Sequence, residues 1–435
     1  MERSESHYDS IVVGGGMAGI VAARDLCHAG LSTLLLEGRD RLGGRTNTVD
    51  FAGLRIESGG TYFDLEREPD MVAEFARYNL QTRYTKDEVA YRTLLNGKVY
   101  TGAFPFEQVD DLIRVVYHAI HDSHRINWGG ADWAEGLEDL DIPFREWLEK
   151  VGDLPKETWE YVNAWVTIYA GNDSSKVSAL QILGPYIAAY GNSPWAWYSG
   201  VSFEVDGGND KYRNAVVDDS PGLTVKLESP VVKVEQGEDL LRFTTRSGEV
   251  FTADDAVWAT PLNTWSAVEF QPPLSAAKTE AAEVKHIGKQ EKVWMRGRNV
   301  PPGVYGISYE SPFKMLLHHQ TLDSGETVFF AMTEHTEIDV NDKDAIEAAF
   351  RQIVPEAEIL EIFHESWIES EFSNGTWIVG GPGFLSKYFA QLGVAEGRLH
   401  FAGADVDTEF PSMMAGAVHS GKVAAAEVVE ARNSR

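Results

Sequence analysis

Residues 11–45 read IVVGGGMAGIVAARDLCHAGLSTLLLEGRDRLGGR. Ile11 to Val13 form a short apolar run stopped by glycines, Ala18 to Ala29 carry helix formers as far as Gly30, and Leu34 to Leu36 make a second buried strand ending at Glu37. This order predicts a strand, helix, strand unit with parallel strands. Gly14, Gly16 and Gly19 complete a GxGxxG pattern around Ala18. The first glycine permits a tight turn, the second lets backbone approach a pyrophosphate, and the third lets helix and strand pack closely, with the helix N-terminus facing the phosphates. Glu37 lies about twenty residues on, where a carboxylate accepts hydrogen bonds from a ribose 2′-hydroxyl and repels a 2′-phosphate. Taken alone, the stretch establishes a dinucleotide site, and an NAD-type domain with a charged loop is one way to read it.

The rest of the composition bounds the class. A chain of 435 residues is too long for one simple core and suits two domains, or a cofactor domain with large insertions. Against 38 basic residues stand 67 acidic ones, a formal net charge of -29. Such a field repels nucleic acid and anionic membrane and draws in small cations, although acidity also simply confers solubility. The single cysteine, Cys27, excludes an internal disulfide and suits a reducing compartment. The opening MERSESHYDS is polar, and no apolar run is long enough to span a bilayer, so a cytoplasmic protein is expected.

Between about Met71 and Tyr198 the pattern reads as helical, broken by aromatic-rich loops such as WGGADW at Trp128 and SPWAWYSG around Trp195, Trp197 and Tyr198. From Leu223 to Val257 short β-type runs follow one another, and Lys292 to Arg296 and Thr327 to Met332 are further strand candidates. RLHFAGAD is a strand running into a glycine, and Met413 to Ala431 predicts a closing helix.

Three further segments turn the dinucleotide reading toward a flavin. GRDRLGGRTNT sets Arg39, Arg41 and Arg45 around Gly43 and Gly44, IESGGTYF supplies Gly59, Gly60 and Thr61, and FAGAD supplies Gly403 and Asp405 ahead of PSMMAGAVHSGKVAA. Together they span nearly the whole chain and resemble the flavin-containing amine oxidases of the monoamine oxidase type. LEDLDIP at Leu137, ATPLNTW at Ala259 and DSHRI at Asp122 resemble the 6-hydroxy-L-nicotine oxidase branch of that family. The resemblance implies an α/β fold: a Rossmann-like FAD-binding domain of the glutathione-reductase and amine-oxidase type, from residues 1–75, 205–265 and 378–435. An α+β substrate-binding domain, 76–204 and 266–377, would be inserted into it.

The same resemblance implies non-covalent FAD and oxidation of an amine C–N bond by hydride transfer from the α-carbon to flavin N5. The imine is then hydrolysed, and dioxygen is reduced to hydrogen peroxide. An aromatic or cyclic primary or secondary amine, such as a nicotine-type alkaloid, is the implied partner, with no metal, and a homodimer is left open. Lys292 aligns with the lysine that assists reoxidation, because Gly288 matches the glycine four residues before it, and Lys289 is the competitor. Trp377, in FSNGTW, would form one aromatic wall over the flavin, and Thr376 stands where mitochondrial relatives attach flavin through cysteine. Met413 departs from the family, which has tyrosine as the second wall; methionine offers neither ring face nor hydroxyl. The backbone at Met414 would meet the flavin at a helix N-terminus, Val231 would meet adenine, and Trp367 would pack near the flavin unless it is an ordinary core aromatic. Two other readings stay open at this point: a flavoprotein desaturase of C–C bonds, and a non-catalytic FAD-binding protein.

Overall fold

The computed structural model describes residues 6–85, 89–101, 109–192 and 202–435. The aromatic run at Trp195, Trp197 and Tyr198 lies outside them. β1 (Ser6–Val13) pairs in parallel with β2 (Thr33–Leu36) on one side and with Val250–Trp258 on the other, so that Val13 lies between Leu36 and Trp258. Ile11, Val12, Leu34 and Leu35 are all fully buried, as expected of parallel strands covered on both faces. The sheet continues through Thr224–Lys226 beyond β2, and through Leu241–Thr245, Val231–Gln236 and Glu269–Gln271 on the far side. Glu269–Gln271 thus joins this sheet, a few residues past the boundary expected at 265. Val250–Trp258 divides its outer edge: residues 250–253 pair with the antiparallel strand 241–244, and residues 256–258 with the parallel strand Leu399–Phe401. That division brings FAGAD next to the glycine-rich turn.

The crossover helix α1 (Met17–His28) packs without intervening side chains at two points. A Cβ on Gly19 would lie 1.8 Å from the Gly14 carbonyl oxygen, and one on Gly421 in the closing helix Met414–Ser434 would lie 2.4 Å from that of Ala18. Only glycine allows these backbones to approach so closely.

A second sheet runs in the order Glu358–His364, Gln290–Arg298, Thr327–Glu334, Phe313–Thr321, Val304–Ser308, Ala90–Leu95, Lys98–Tyr100. Its last two strands correct the helical reading of that region. Asn96 and Gly97 both take positive φ, 51° and 69°, forming the two-residue turn that Asn-Gly favours between antiparallel strands. The helix Lys156–Ala170 packs against this sheet. Among the described residues, no helix is long and apolar enough to cross a membrane.

Beneath the first sheet, Arg24 and Glu74 are only 1% and 2% exposed. Arg24 grips Glu74 with both terminal nitrogens, one at 3.0 Å, and also reaches Asp25 and the Tyr78 hydroxyl. Tyr212 donates to the same carboxylate at 3.0 Å, and Lys422 lies 3.2 Å from it. Burial opposes charge on Arg24, but the bonds to Glu74 and Asp25 outweigh it and raise its pKa. The network joins α1, α2 (Pro69–Arg77), the helix Asp210–Asp218 and the closing helix. Removing one partner strands a buried charge, which costs about 3–5 kcal/mol. Arg24→Met is therefore expected to lower the unfolding free energy of the FAD-saturated protein, read from urea titration, by that amount, and Arg24→Met with Glu74→Leu should recover part of it. A single variant as stable as the parent would show the network to be dispensable.

Candidate active site

A cavity of about 440 Å³ is lined by residues from both sheets. At its nucleotide-like part, Gly14 has φ +103° and a Cβ there would lie 2.5 Å from the Ala259 carbonyl oxygen, so the turn requires glycine. At Gly16, by contrast, the nearest atom to an added Cβ is Gly44 Cα at 3.8 Å, leaving open space beside the backbone. α1 begins here without a side-chain cap, and Met17 and Ala18 line the cavity, so the first-turn N–H groups are available to an anion. The buried Glu37 carboxylate accepts from Gly15 N–H at 2.6 Å and Arg39 N–H at 2.8 Å, which fixes it at the end of β2. Arg39 donates to Ser370 and Ser373, and Val231 lines the cavity as Glu37 and Arg39 do, the Glu228–Ser229 backbone just before it donating to their carbonyls.

Gly19 and Asp405 do not line the cavity. Gly19 serves helix packing, as above. Asp405, buried, accepts from Arg45 Nη2 at 2.8 Å and Leu262 N–H at 3.0 Å. Burial pushes its carboxyl up, but Arg45 and His286 more than offset this and hold it below the usual range. Asp405 therefore positions Arg45, whose other arm reaches the Thr376 carbonyl.

Gly44, Arg45, Gly59, Gly60, Thr61, Trp367, Gly403, Met413 and Met414 all line the middle of the cavity. The wall is bare backbone at Gly59, where a Cβ would fall 2.0 Å from the Arg45 carbonyl oxygen, and at Gly60, where it would meet Met414 Sδ at 3.1 Å. Trp367 closes on the same turn, its Nε1–H donating to the Ser58 carbonyl at 3.3 Å. The closing helix opens at Met414 without a side-chain cap.

Lys292, on the strand Gln290–Arg298, lines the cavity, whereas Lys289 is exposed and does not. Lys292 Nζ donates to Thr61 Oγ1 at 2.7 Å and to the carbonyls of Gly59 and Glu57. Burial pulls its pKa down to about 8, against the opposing pull of Glu57 and Glu204. Burial likewise pushes the Glu57 carboxyl up to about 7, although Asn209 N–H and Thr48 Oγ1 both donate to it. Trp377 lines the cavity and donates its Nε1–H to the Tyr169 carbonyl at 3.0 Å; that oxygen also accepts from the Tyr186 hydroxyl at 2.9 Å. Thr376 lines the cavity too, and Cys27, the chain's one cysteine, lies buried on α1 away from it, so no thioether to a ligand can form.

Sequence reasoning missed most of the remaining wall: Tyr62, Tyr169, Tyr186, Tyr190, Tyr305, Met315, Phe330 and Met332. Tyr62 was within reach, since it follows Thr61 in the quoted IESGGTYF. The WGGADW tryptophans, Trp128 and Trp133, pack on each other at a 39° tilt with ring centroids 4.8 Å apart and do not line the cavity. The uncapped helix ends, open space at Gly16, fixed carboxylate at Glu37 and bare backbone at Gly59 and Gly60 fit FAD.

The family described as flavin containing amine oxidoreductase matches residues 17–429. The chain is 31% identical over 422 residues to (S)-6-hydroxynicotine oxidase of Paenarthrobacter nicotinovorans, covering 96% of this chain and 98% of that one. It is 30% identical over 430 residues to pseudooxynicotine dehydrogenase of a Pseudomonas species, covering 97% and 86%. A solved structure of putrescine oxidase bound to putrescine shares the fold, with a TM-score of 0.86 at 22% identity over 98% of this chain and 99% of that one.

Gly288 tests how the walls are held. A Cβ there would lie 2.1 Å from the Trp377 carbonyl oxygen, and its own carbonyl accepts from Thr376 N–H at 3.1 Å. Gly288→Ala must displace the Thr376–Trp377 segment, and FAD affinity measured by flavin fluorescence is expected to fall about tenfold or more, the scale of a 1–3 kcal/mol overpacking cost. Unchanged affinity would show that the segment shifts freely.

Proposed function

Because the chain belongs to the flavin-containing amine oxidoreductase family and is an FAD-dependent amine-oxidising enzyme, we propose that its substrate is an aromatic or cyclic primary or secondary amine and its acceptor dioxygen. The observation that carries the site assignment is Lys292 Nζ, fixed by Glu57, Gly59 and Thr61 in the same cavity as Trp377. When bound, FAD supplies the two-electron acceptor for C–N oxidation. Trp377, locked through Tyr169, gives one flat wall for the amine, and Met413 gives a softer, polarizable one. The tyrosine-rich surface excludes water, and the Lys292 ammonium disfavours a second positive charge beside it. Both effects favour entry of the reacting nitrogen as the free base. Gly14, Gly16, Ala18, Glu37, Arg39, Gly44, Gly59, Gly60, Thr61, Val231, Trp367, Gly403 and Met414 are the proposed cofactor contacts, and Arg45, steadied by Asp405, the proposed link between them and Trp377. A cytoplasmic location, suited to the lone buried Cys27, and the two-domain division given above belong to the same proposal.

Anaerobic mixing with an amine panel tests the reading: at least one aromatic or cyclic amine should bleach the flavin absorption, and air should restore it with hydrogen peroxide formed. Failure of every amine to bleach it would sink the substrate proposal, and bleaching without recovery in air would sink dioxygen as acceptor.

Lys292 gives a second expectation. With its pKa lowered to about 8, it is charged below that pH and neutral above. If the ammonium assists reoxidation, the oxygen-dependent rate falls by up to about tenfold per unit above pH 8. Lys292→Met should slow reoxidation more than reduction and flatten that limb; equal slowing of both would assign the lysine to substrate positioning instead.

A further inference from the structure

Glu68 lines the cavity but has no part in the chemistry above. It is 5% exposed, and its Oε2 has no hydrogen-bond partner. Its place in the chain makes this unexpected. Glu68 is the residue before α2, where a side-chain oxygen ordinarily accepts from first-turn N–H groups, yet it makes no capping bond. Pro69 occupies the first helical position and has no N–H to offer.

The groups around it are few and mostly accounted for. Asp64, on the same loop, lies 3.7 Å from the Arg67 guanidinium, which also sits 4.5 Å over the Tyr190 ring. Tyr190 and Tyr186 line the same cavity from the opposite segment. Asp64 and Arg67 balance each other, so an ionised Glu68 adds one negative charge that no neighbouring side chain neutralises. Lys292 cannot supply the balance: the carboxylates that act on it are Glu57 and Glu204. The cavity therefore has a cationic group beside Gly59 and, separately, a buried carboxyl without a counter-ion, with Tyr186 and Tyr190 lining the same cavity.

We propose that Glu68 determines specificity by receiving a second, cationic nitrogen on the tail of the amine substrate, while the reacting nitrogen remains near Lys292 and Trp377. The inference rests on the amine-oxidation reading of the site and narrows it to amines with a second basic or quaternary nitrogen. Burial raises the Glu68 pKa to about 8, against the pull of the Asp64 backbone N–H and with a smaller push from the Asp64 charge. At neutral pH the empty site thus holds a protonated carboxyl, and an arriving cation takes the place of that proton. The folded-state pKa is raised, so the charged form grows as pH rises through 8, and cation binding strengthens in the same direction. Asp64, Arg67, Tyr186 and Tyr190 are the titratable groups facing Glu68, and none of them brings a free positive charge.

The test uses the FAD-loaded enzyme and paired probes: primary amines whose tails of four, six or eight methylenes end in trimethylammonium or in the neutral tert-butyl isostere. Kd is read anaerobically from perturbation of the flavin spectrum, and bleaching is recorded in the same experiment. For at least one length, the quaternary probe should bind tenfold or more tightly than its isostere at pH 8.5, with a smaller ratio at pH 6.5. Glu68→Gln should bring the ratio near one, and Glu68→Asp, which keeps the charge, should retain part of it. A ratio of one at every length, or a ratio untouched by Glu68→Gln, overturns the proposal. So does a preference for a pyridyl-tailed amine at pH 6.5 that Glu68→Gln, itself a neutral donor, retains, since the carboxyl would then act as a neutral donor. If no probe bleaches the flavin while the Kd ratio still follows Glu68, the subsite stands and the amine-oxidation reading of the cavity fails.

Discussion

The site depends on the two arms and one carbonyl of Arg45. One arm reaches the Thr376 carbonyl and the other Asp405, whose second oxygen accepts from Leu262 N–H. The Arg45 carbonyl meanwhile accepts from Gly60 N–H at 3.1 Å, which sets the turn whose Gly59 carbonyl holds Lys292. A single residue thus relates the dinucleotide loop, the Trp377 wall and the lysine. Charge-assisted bonds of this kind contribute roughly 1.5–3 kcal/mol each. Rigidity at this point passes to both halves of the cavity, because Thr376 and Gly60 meet Arg45 through backbone atoms that cannot rotate away and the Asp405 carboxylate is itself held by Leu262 N–H.

Burial acts in opposite senses on the two charges next to that turn. It raises Glu57 and lowers Lys292, so each moves toward neutrality, and their mutual attraction limits the drift. The Glu57 carbonyl adds a structural tie, accepting from both Lys292 and the Trp294 indole N–H. Position and charge of the lysine are therefore set by the same short strand, Leu54–Glu57. A packing change there would alter both at once.

The first strand, helix and second strand were legible because their signals are consecutive: apolar runs, three glycines and a carboxylate within one short stretch. Lys292 was legible through its spacing from Gly288, and the structure separates it from exposed Lys289. Asp405 was legible as a position but not as a role, since its partner lies 360 residues away. The tyrosine wall was harder still. Tyr62, Tyr169, Tyr186, Tyr190 and Tyr305 come from several segments that face one another only after the second sheet forms, and an isolated tyrosine carries no local sign of a cavity. The 90–100 hairpin did carry one in Asn96-Gly97, masked by the helical surroundings of its neighbours.

The divided edge of Val250–Trp258 has a consequence for how the protein comes into being. β1 can pair with β2 early, yet its second parallel partner follows some 240 residues later, and the helix that packs on α1 later still. Gly14 and Met414, which line the same cavity, are 400 positions apart (414 − 14). At synthesis rates of about 5–20 residues per second, the glycine turn waits roughly 20–80 s for the rest of its cavity. The nascent chain must spend that interval with one edge of β1 unpaired, and the cavity wall is not complete until Met414 has been made. A chain that stops short of Met413 therefore lacks part of the wall that Gly14, Gly60 and Trp367 share with it.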